Sequence, residues 1–106
     1  FGPTLMFGLG GIFVEVMKDV TFKVAPIDEA AALDMQSEIK SSKILQGARG
    51  ESPRDQKALA DVLAHYSYMV YDLKDEIAES DANPVIVYEE GKGVAVVDAR
   101  IILTKK

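Results

Sequence analysis

Three short stretches near the N-terminus are dense in β-branched and aromatic residues: Thr4 to Phe7, Ile12 to Met17 and Val20 to Ala25. Such stretches suit the pleated, half-buried surface of a strand. The glycine turn Gly8-Leu9-Gly10-Gly11 separates the first two, and Pro26 stops the third. The pattern then changes period. Ala32, Met35 and Ile39 recur at helical spacing, which predicts a helix from Glu29 to about Lys40. Asp28 is its N-cap and Glu29 sits favourably at the positive end of the helix dipole. A loop follows through Gly47-Ala48-Arg49-Gly50-Glu51, after which Ser52-Pro53 predicts a second helix reaching about Asp72. Leu59, Val62, Leu63, Tyr66, Met69, Val70 and Leu73 form its expected buried stripe.

The last third returns to strand periodicity. Ile77 to Asp81, Val85 to Tyr88 and Val94 to Leu103 read as strands, with the hairpin turn at Glu90-Gly91-Lys92-Gly93. Val85 and Val87 fall on one face of this hairpin and Ile86 and Tyr88 on the other, so cover on both faces is expected. The predicted order is β-β-β-α-α-β-β-β. That is an α+β fold, a mixed and largely antiparallel sheet with two packed helices.

A chain of 106 residues is the size of one compact domain, so residues 1–106 are read as a single unit. The 48% hydrophobic and 27% charged fractions are those of an ordinary globular protein. A net charge of -5, with Lys and Arg scattered, argues against a nucleic-acid partner, which needs a basic stripe. No apolar run approaches bilayer length, so no membrane partner is expected. The absence of cysteine excludes disulfides and thiolate chemistry and suits a cytoplasmic protein. The chain begins with Phe rather than Met, which suggests a piece of a longer one.

Candidate chemistry concentrates in Glu79-Ser80-Asp81-Ala82-Asn83-Pro84. Alternation along a strand sends Glu79, Asp81 and Asn83 the same way. The hairpin adds Asp98. With Glu89 to Lys92 as the loop, Asn83 opposes Asp98; with only Gly91-Lys92, Val85 opposes Asp98 and Asn83 lies one diagonal step away. Either register leaves Asn83 and Asp98 on one face within roughly 8 Å, and an odd-length loop without a bulge, or a kink at Pro84, breaks the inference. Such oxygens suit magnesium, which takes one or two protein ligands and fills its shell with water and phosphates. The same residues also fit a turn with solvated surface charges, and spacing alone leaves both readings open. The glycine segment Gly8 to Phe13 lacks the third glycine of a dinucleotide fingerprint and the lysine of a P-loop. Arg49, between glycines, fits either a phosphate clamp or a solvated side chain. Glu15 and Lys23 lie in predicted strands, and His65 has no Ser or Asp arrangement to suggest a triad.

Taken in order, several segments resemble one family. They are Phe7-Gly8-Leu9-Gly10-Gly11-Ile12-Phe13-Val14-Glu15-Val16, Asp19 to Pro26, Gly47-Ala48-Arg49-Gly50-Glu51-Ser52-Pro53, Glu79 to Pro84, and Val96-Val97-Asp98-Ala99-Arg100. They are similar to the ATP-grasp part of ADP-forming acetyl-CoA and acyl-CoA synthetases, relatives of succinyl-CoA synthetase. The resemblance implies that residues 1–106 are the second lobe, the C-terminal part, of an ATP-grasp domain in a longer enzyme. The implied reaction converts acyl-CoA, ADP and phosphate into carboxylate, CoA and ATP, through an acyl phosphate and a phosphohistidine. It further implies Mg2+ and ATP or ADP as cofactors, with Asn83 and Asp98 as metal ligands. Asp81 is implied near the visiting phosphohistidine, and Glu15 and Arg49 at the nucleotide. Implied partners are the N-terminal ATP-grasp lobe and a CoA-binding alpha subunit or domain. The chain alone, without that lobe and the relay histidine, is expected to be inactive. Two other settings share the resemblance: the ATP-grasp region of a protein-lysine acyltransferase fusion, and an α+β module without catalysis. Ser80 and Ala82 stand where the family carries bulkier apolar residues, and Lys23 where arginine is common.

Overall fold

A computed structural model of the chain describes residues 3–9, 19–47, 50 and 52–104. The predicted strand Ile12 to Met17 and the candidates Glu15 and Arg49 lie outside them. Strands β1 (Thr4–Gly8) and β2 (Val20–Val24) pair antiparallel, Thr4 opposite Val24 and Gly8 opposite Val20. Helix α1 (Glu29–Glu38) follows, then a one-turn helix α2 (Ser42–Leu45), and the long helix α3 (Gln56–Asp72). Strands β3 (Ile77–Ala82), β4 (Val85–Val87), β5 (Val94–Val96) and β6 (Ala99–Leu103) complete the chain. The described strands form three two-stranded antiparallel sheets, β1–β2, β3–β6 and β4–β5, an α+β arrangement as expected but without the parallel pairing of a mixed sheet.

Local signals explain the element limits. The Asp28 carboxylate accepts from the Ala31 amide at 2.8 Å, the predicted N-cap of α1. Helix α1 ends at Glu38, two residues early, because the chain turns onto Asp19. That carboxylate, only 2% exposed, accepts from the amides of Lys40 and Ser41 and from the Ser41 hydroxyl. The turn starts α2, a short helix that the hydrophobic spacing does not predict.

Helix α3 begins at Gln56, three residues later than Pro53. Asp55 rather than Ser52 is the N-cap, its Oδ1 accepting from the Ala58 amide at 3.0 Å. Pro53 is held outside the helix, where its carbonyl accepts from the Glu90 amide at 2.9 Å.

The core sits where α1 and α3 cross beneath β1 and β2. Leu5, Ile27, Ala32, Met35 and Ala60 are buried together, with Phe7, Leu63 and Tyr66 packed against them. Ala32, Met35 and Ile39 are buried as their spacing predicts. On α3 the fully buried seam is Leu59, Ala60, Ala64 and Ser67, while Leu73 is exposed. Small residues hold this seam because they let α1 approach α3 closely, and the larger side chains of the expected stripe fill its flanks. Ser67 Oγ accepts from the Ile27 amide at 2.9 Å and donates to the Ala64 carbonyl at 2.7 Å. One hydroxyl thus satisfies a backbone donor that α1's approach would otherwise strand.

Candidate functional site

The site is assembled on the C-terminal hairpin. β3 pairs with β6, Ala82 opposite Ala99 and Asp81 opposite Arg100, and β4 pairs with β5, Val85 opposite Val96 and Val87 opposite Val94. These two ladders share one register, and Tyr88 donates its amide to the Gly93 carbonyl at 3.0 Å. The loop is therefore the four residues Glu89 to Lys92, the first of the two registers open from sequence. Gly91 and Gly93 adopt positive φ, 86° and 83°, which only glycine takes without cost.

Between the ladders lie Asn83, Pro84, Val97 and Asp98. The Asn83 amide donates to the Asp98 carbonyl at 2.9 Å, and the Val97 amide to the Pro84 carbonyl at 3.0 Å. Neighbouring pairs in a regular antiparallel ladder do not both bond in this way, so the hydrogen-bonding phase changes at the Asn83-Pro84 peptide, which is cis. The register does not slip. Asn83 and Asp98 remain opposite each other across the hairpin, joined by that backbone bond. Predicted as one strand, Val94 to Leu103 is interrupted here, at Val97 and Asp98.

Both residues are exposed, and Asp98 Oδ1 accepts from the Ala99 amide at 2.9 Å, which fixes its rotamer. Asp81, two residues before Asn83, meets Arg100 across the ladder, Oδ2 to guanidinium 3.1 Å. Arg100 belongs to the Val96–Arg100 motif, and its partner follows only from the register. Glu79 lies opposite Ile102, one step further along. Ser80, on the alternate face, accepts from the Tyr66 hydroxyl at 2.5 Å, so that face turns toward α3. Glu79 and Asp81 accordingly look away from α3. Lys23 is drawn instead toward Glu38, at 3.8 Å. His65 is bound to its own helix, Nδ1 to the Asp61 carbonyl at 2.7 Å, and takes no part in the site. The Asp61 carbonyl and then its carboxylate raise the His65 pKa.

A divalent cation with hard-oxygen preference needs few protein ligands when phosphates and water complete its shell. Asn83 and Asp98, one amide oxygen and one carboxylate, fit that role. Among the described residues no group of three or more acidic or histidine side chains could enclose a metal alone.

An ATP-grasp domain family matches residues 1–103. This chain belongs to that family. The beta subunit of ADP-forming acetate–CoA ligase II of Pyrococcus furiosus is 59% identical over 103 residues, covering 97% of this chain and 44% of the relative. The ADP-forming 4-hydroxybutyrate–CoA ligase of Nitrosopumilus maritimus is 52% identical over 101 residues, covering 95% of this chain and 14% of the relative. Among solved structures, a protein of Pyrococcus horikoshii superposes with a TM-score of 0.91 at 53% identity, over 97% of this chain and 43% of its own. The acetyl-coenzyme A synthetase 1 of Candidatus Korarchaeum cryptofilum, in complex with coenzyme A and Mg-AMPPCP, gives 0.88 at 51% identity, over 98% of this chain and 47% of its own. The ATP-grasp chain described here thus spans less than half the length of these relatives. No helix among its described residues is long and apolar enough to cross a membrane.

Proposed function

We propose that this chain is the C-terminal part of an ATP-grasp domain, and that in the longer protein it helps hold a magnesium nucleotide. The enzyme would be an ADP-forming acyl-CoA synthetase. It would convert acyl-CoA, ADP and phosphate into carboxylate, CoA and ATP through an acyl phosphate and a phosphohistidine. The observation that carries the reading is the direct opposition of Asn83 and Asp98 on an unslipped hairpin. The names of relatives more than half identical to the chain support the reaction class.

Each residue has a stated task. Asp98 supplies formal charge and Asn83 a neutral oxygen, a pair suited to a cation that already carries phosphates. When bound, magnesium offsets the charge that builds on the transferring phosphoryl oxygens. Arg100 holds Asp81 on the same face, where a visiting phosphohistidine would meet a carboxylate whose charge is partly balanced. Glu15 and Arg49 would contact the nucleotide. The remaining ATP-grasp lobe and a CoA-binding subunit or domain are the partners this reaction requires, in a cytoplasmic enzyme.

The test is ATP formation by the full-length protein and its partner from acetyl-CoA or a longer acyl-CoA, ADP, phosphate and magnesium. Magnesium-dependent ATP formation with equal release of CoA is the expected result. Failure to form ATP from any acyl-CoA, with the protein folded, would overturn the reading.

A further inference from the structure

The hairpin that carries Asn83 and Asp98 is short-stranded, β4 and β5 having three residues each. A two-stranded ladder of that length is marginal by itself. A register slip would separate the opposed residues; the β3–β6 ladder holds the register on one side of them and the turn must hold it on the other. Asp55 touches it. One oxygen of this carboxylate accepts from the Ala58 amide at 3.0 Å, the first turn of α3. The other accepts from the Gly93 amide at 2.8 Å and the Gly91 amide at 3.1 Å, at the hairpin turn. Asp55 is 8% exposed, and it joins segments 36 and 38 residues apart in sequence. Backbone bonds reinforce the clasp: the Asp55 amide to the Tyr88 carbonyl at 2.8 Å and the Glu90 amide to the Pro53 carbonyl at 2.9 Å.

We propose that Asp55 is a positioning residue for the Asn83–Asp98 pair, fastening the hairpin turn to the start of α3 and so fixing the register that opposes them. This rests on the magnesium reading of that pair. A carboxylate suits the task because its two oxygens serve two elements at once. A neutral amide has only one acceptor oxygen. Asp55→Asn must therefore choose between capping α3 and holding the glycines, and its NH2 group faces N–H donors on the side it gives up. Charged side chains lining this surface with Asp55 are Lys57, Glu29, Asp61 and Glu90.

The experiment uses the full-length enzyme with its partner. For wild type, Asp55→Asn, Asp98→Ala and the double variant, turnover is measured against magnesium concentration. Amide exchange is followed over peptides spanning residues 83–93. Asp55→Asn is expected to speed exchange there and to raise the half-saturating magnesium about tenfold, as loss of a supporting partner commonly does. In the Asp98→Ala background it should add no further shift, because the two act through one site. A merely structural role would lower the melting temperature and leave the magnesium requirement alone. Unchanged exchange overturns the proposal. So does a magnesium requirement unmoved in Asp55→Asn but raised in Asp98→Ala. If Asp98→Ala itself leaves the requirement unmoved, the magnesium reading fails first and the positioning role falls with it. Should Asp55→Asn not fold, Asp55→Ser keeps a helix cap, is too short to serve both elements, and is judged by the same criteria.

Discussion

Two buried aspartates, Asp19 and Asp55, hold backbone amides that nothing else in the described structure satisfies in their place. At Asp19, burial pushes the pKa up, but the Ser41 hydroxyl and the Lys40 and Ser41 amides outweigh it, and the group ends below its ordinary 3.8. At Asp55 the Ala58 and Gly93 amides lower the pKa, burial opposes them, and the Gly91 amide adds to the lowering. A carboxylate depressed on folding contributes stability that is full above its unfolded pKa and is lost as pH falls through the folded value. Stability should therefore fall below pH 3.8. Asp19→Asn and Asp55→Asn should each flatten that fall in an acid-unfolding titration. A steepness equal to wild type would show that the carboxylates contribute no such linkage. The pairing of Asn83 with Asp98 across the hairpin was legible at this scale from strand and turn patterns, while their proposed role came from the family resemblance. The Asp81–Arg100 pair was not, because it needs the register, and Asp55 was hidden by the stronger-looking Ser52-Pro53 signal three residues earlier.

At the scale of elements, the apolar period found α1 and α3 and the turn glycines found the hairpin. What the period could not rank was size. Beside Leu59, the buried seam of α3 is Ala60, Ala64 and Ser67, residues that a search for large apolar side chains passes over. Their value lies in close approach, which belongs to the pair of helices and not to either sequence. Met35 fills the seam from α1 and is fully buried, so Met35→Ala should destabilise by about 2–5 kcal/mol through lost contact and a cavity. Ser67→Ala leaves the buried Ile27 amide without its acceptor, at a cost of about 1–3 kcal/mol. Leu73→Ala, at the exposed end of α3, should cost about 1 kcal/mol or less. Chemical denaturation of the three variants checks the order. Ser67→Ala matching Leu73→Ala would refute the role given to the hydroxyl.

The whole molecule leaves much of its hairpin uncovered. Ile86 and Tyr88 are 40% and 45% exposed, where the apolar faces of the hairpin predicted cover. Periodicity reported that these faces are apolar, but it could not report whether the chain itself covers them. The carboxylates of the candidate site are exposed as well, with no second wall among the described residues to orient a nucleotide. Catalysis by positioning needs both reactants held. Expressed alone, the 106-residue chain should make no ATP from acyl-CoA, ADP and phosphate. Steady turnover in a coupled assay of the pure chain would contradict this.

The central claim is that Asn83 and Asp98 together hold the magnesium of the nucleotide. Its most direct test is turnover of the full-length enzyme against magnesium concentration for Asn83→Ala, Asp98→Ala and Lys92→Ala, with thermal melts to establish folding. Lys92, exposed at the hairpin tip, is the control and should behave as wild type. Each ligand variant should lose at least about tenfold in turnover, some 1.4 kcal/mol of transition-state stabilisation. Asp98→Ala should lose more, since it removes formal charge, and both should need more magnesium. Folded Asn83→Ala and Asp98→Ala enzymes with wild-type turnover and an unchanged magnesium requirement would contradict the account.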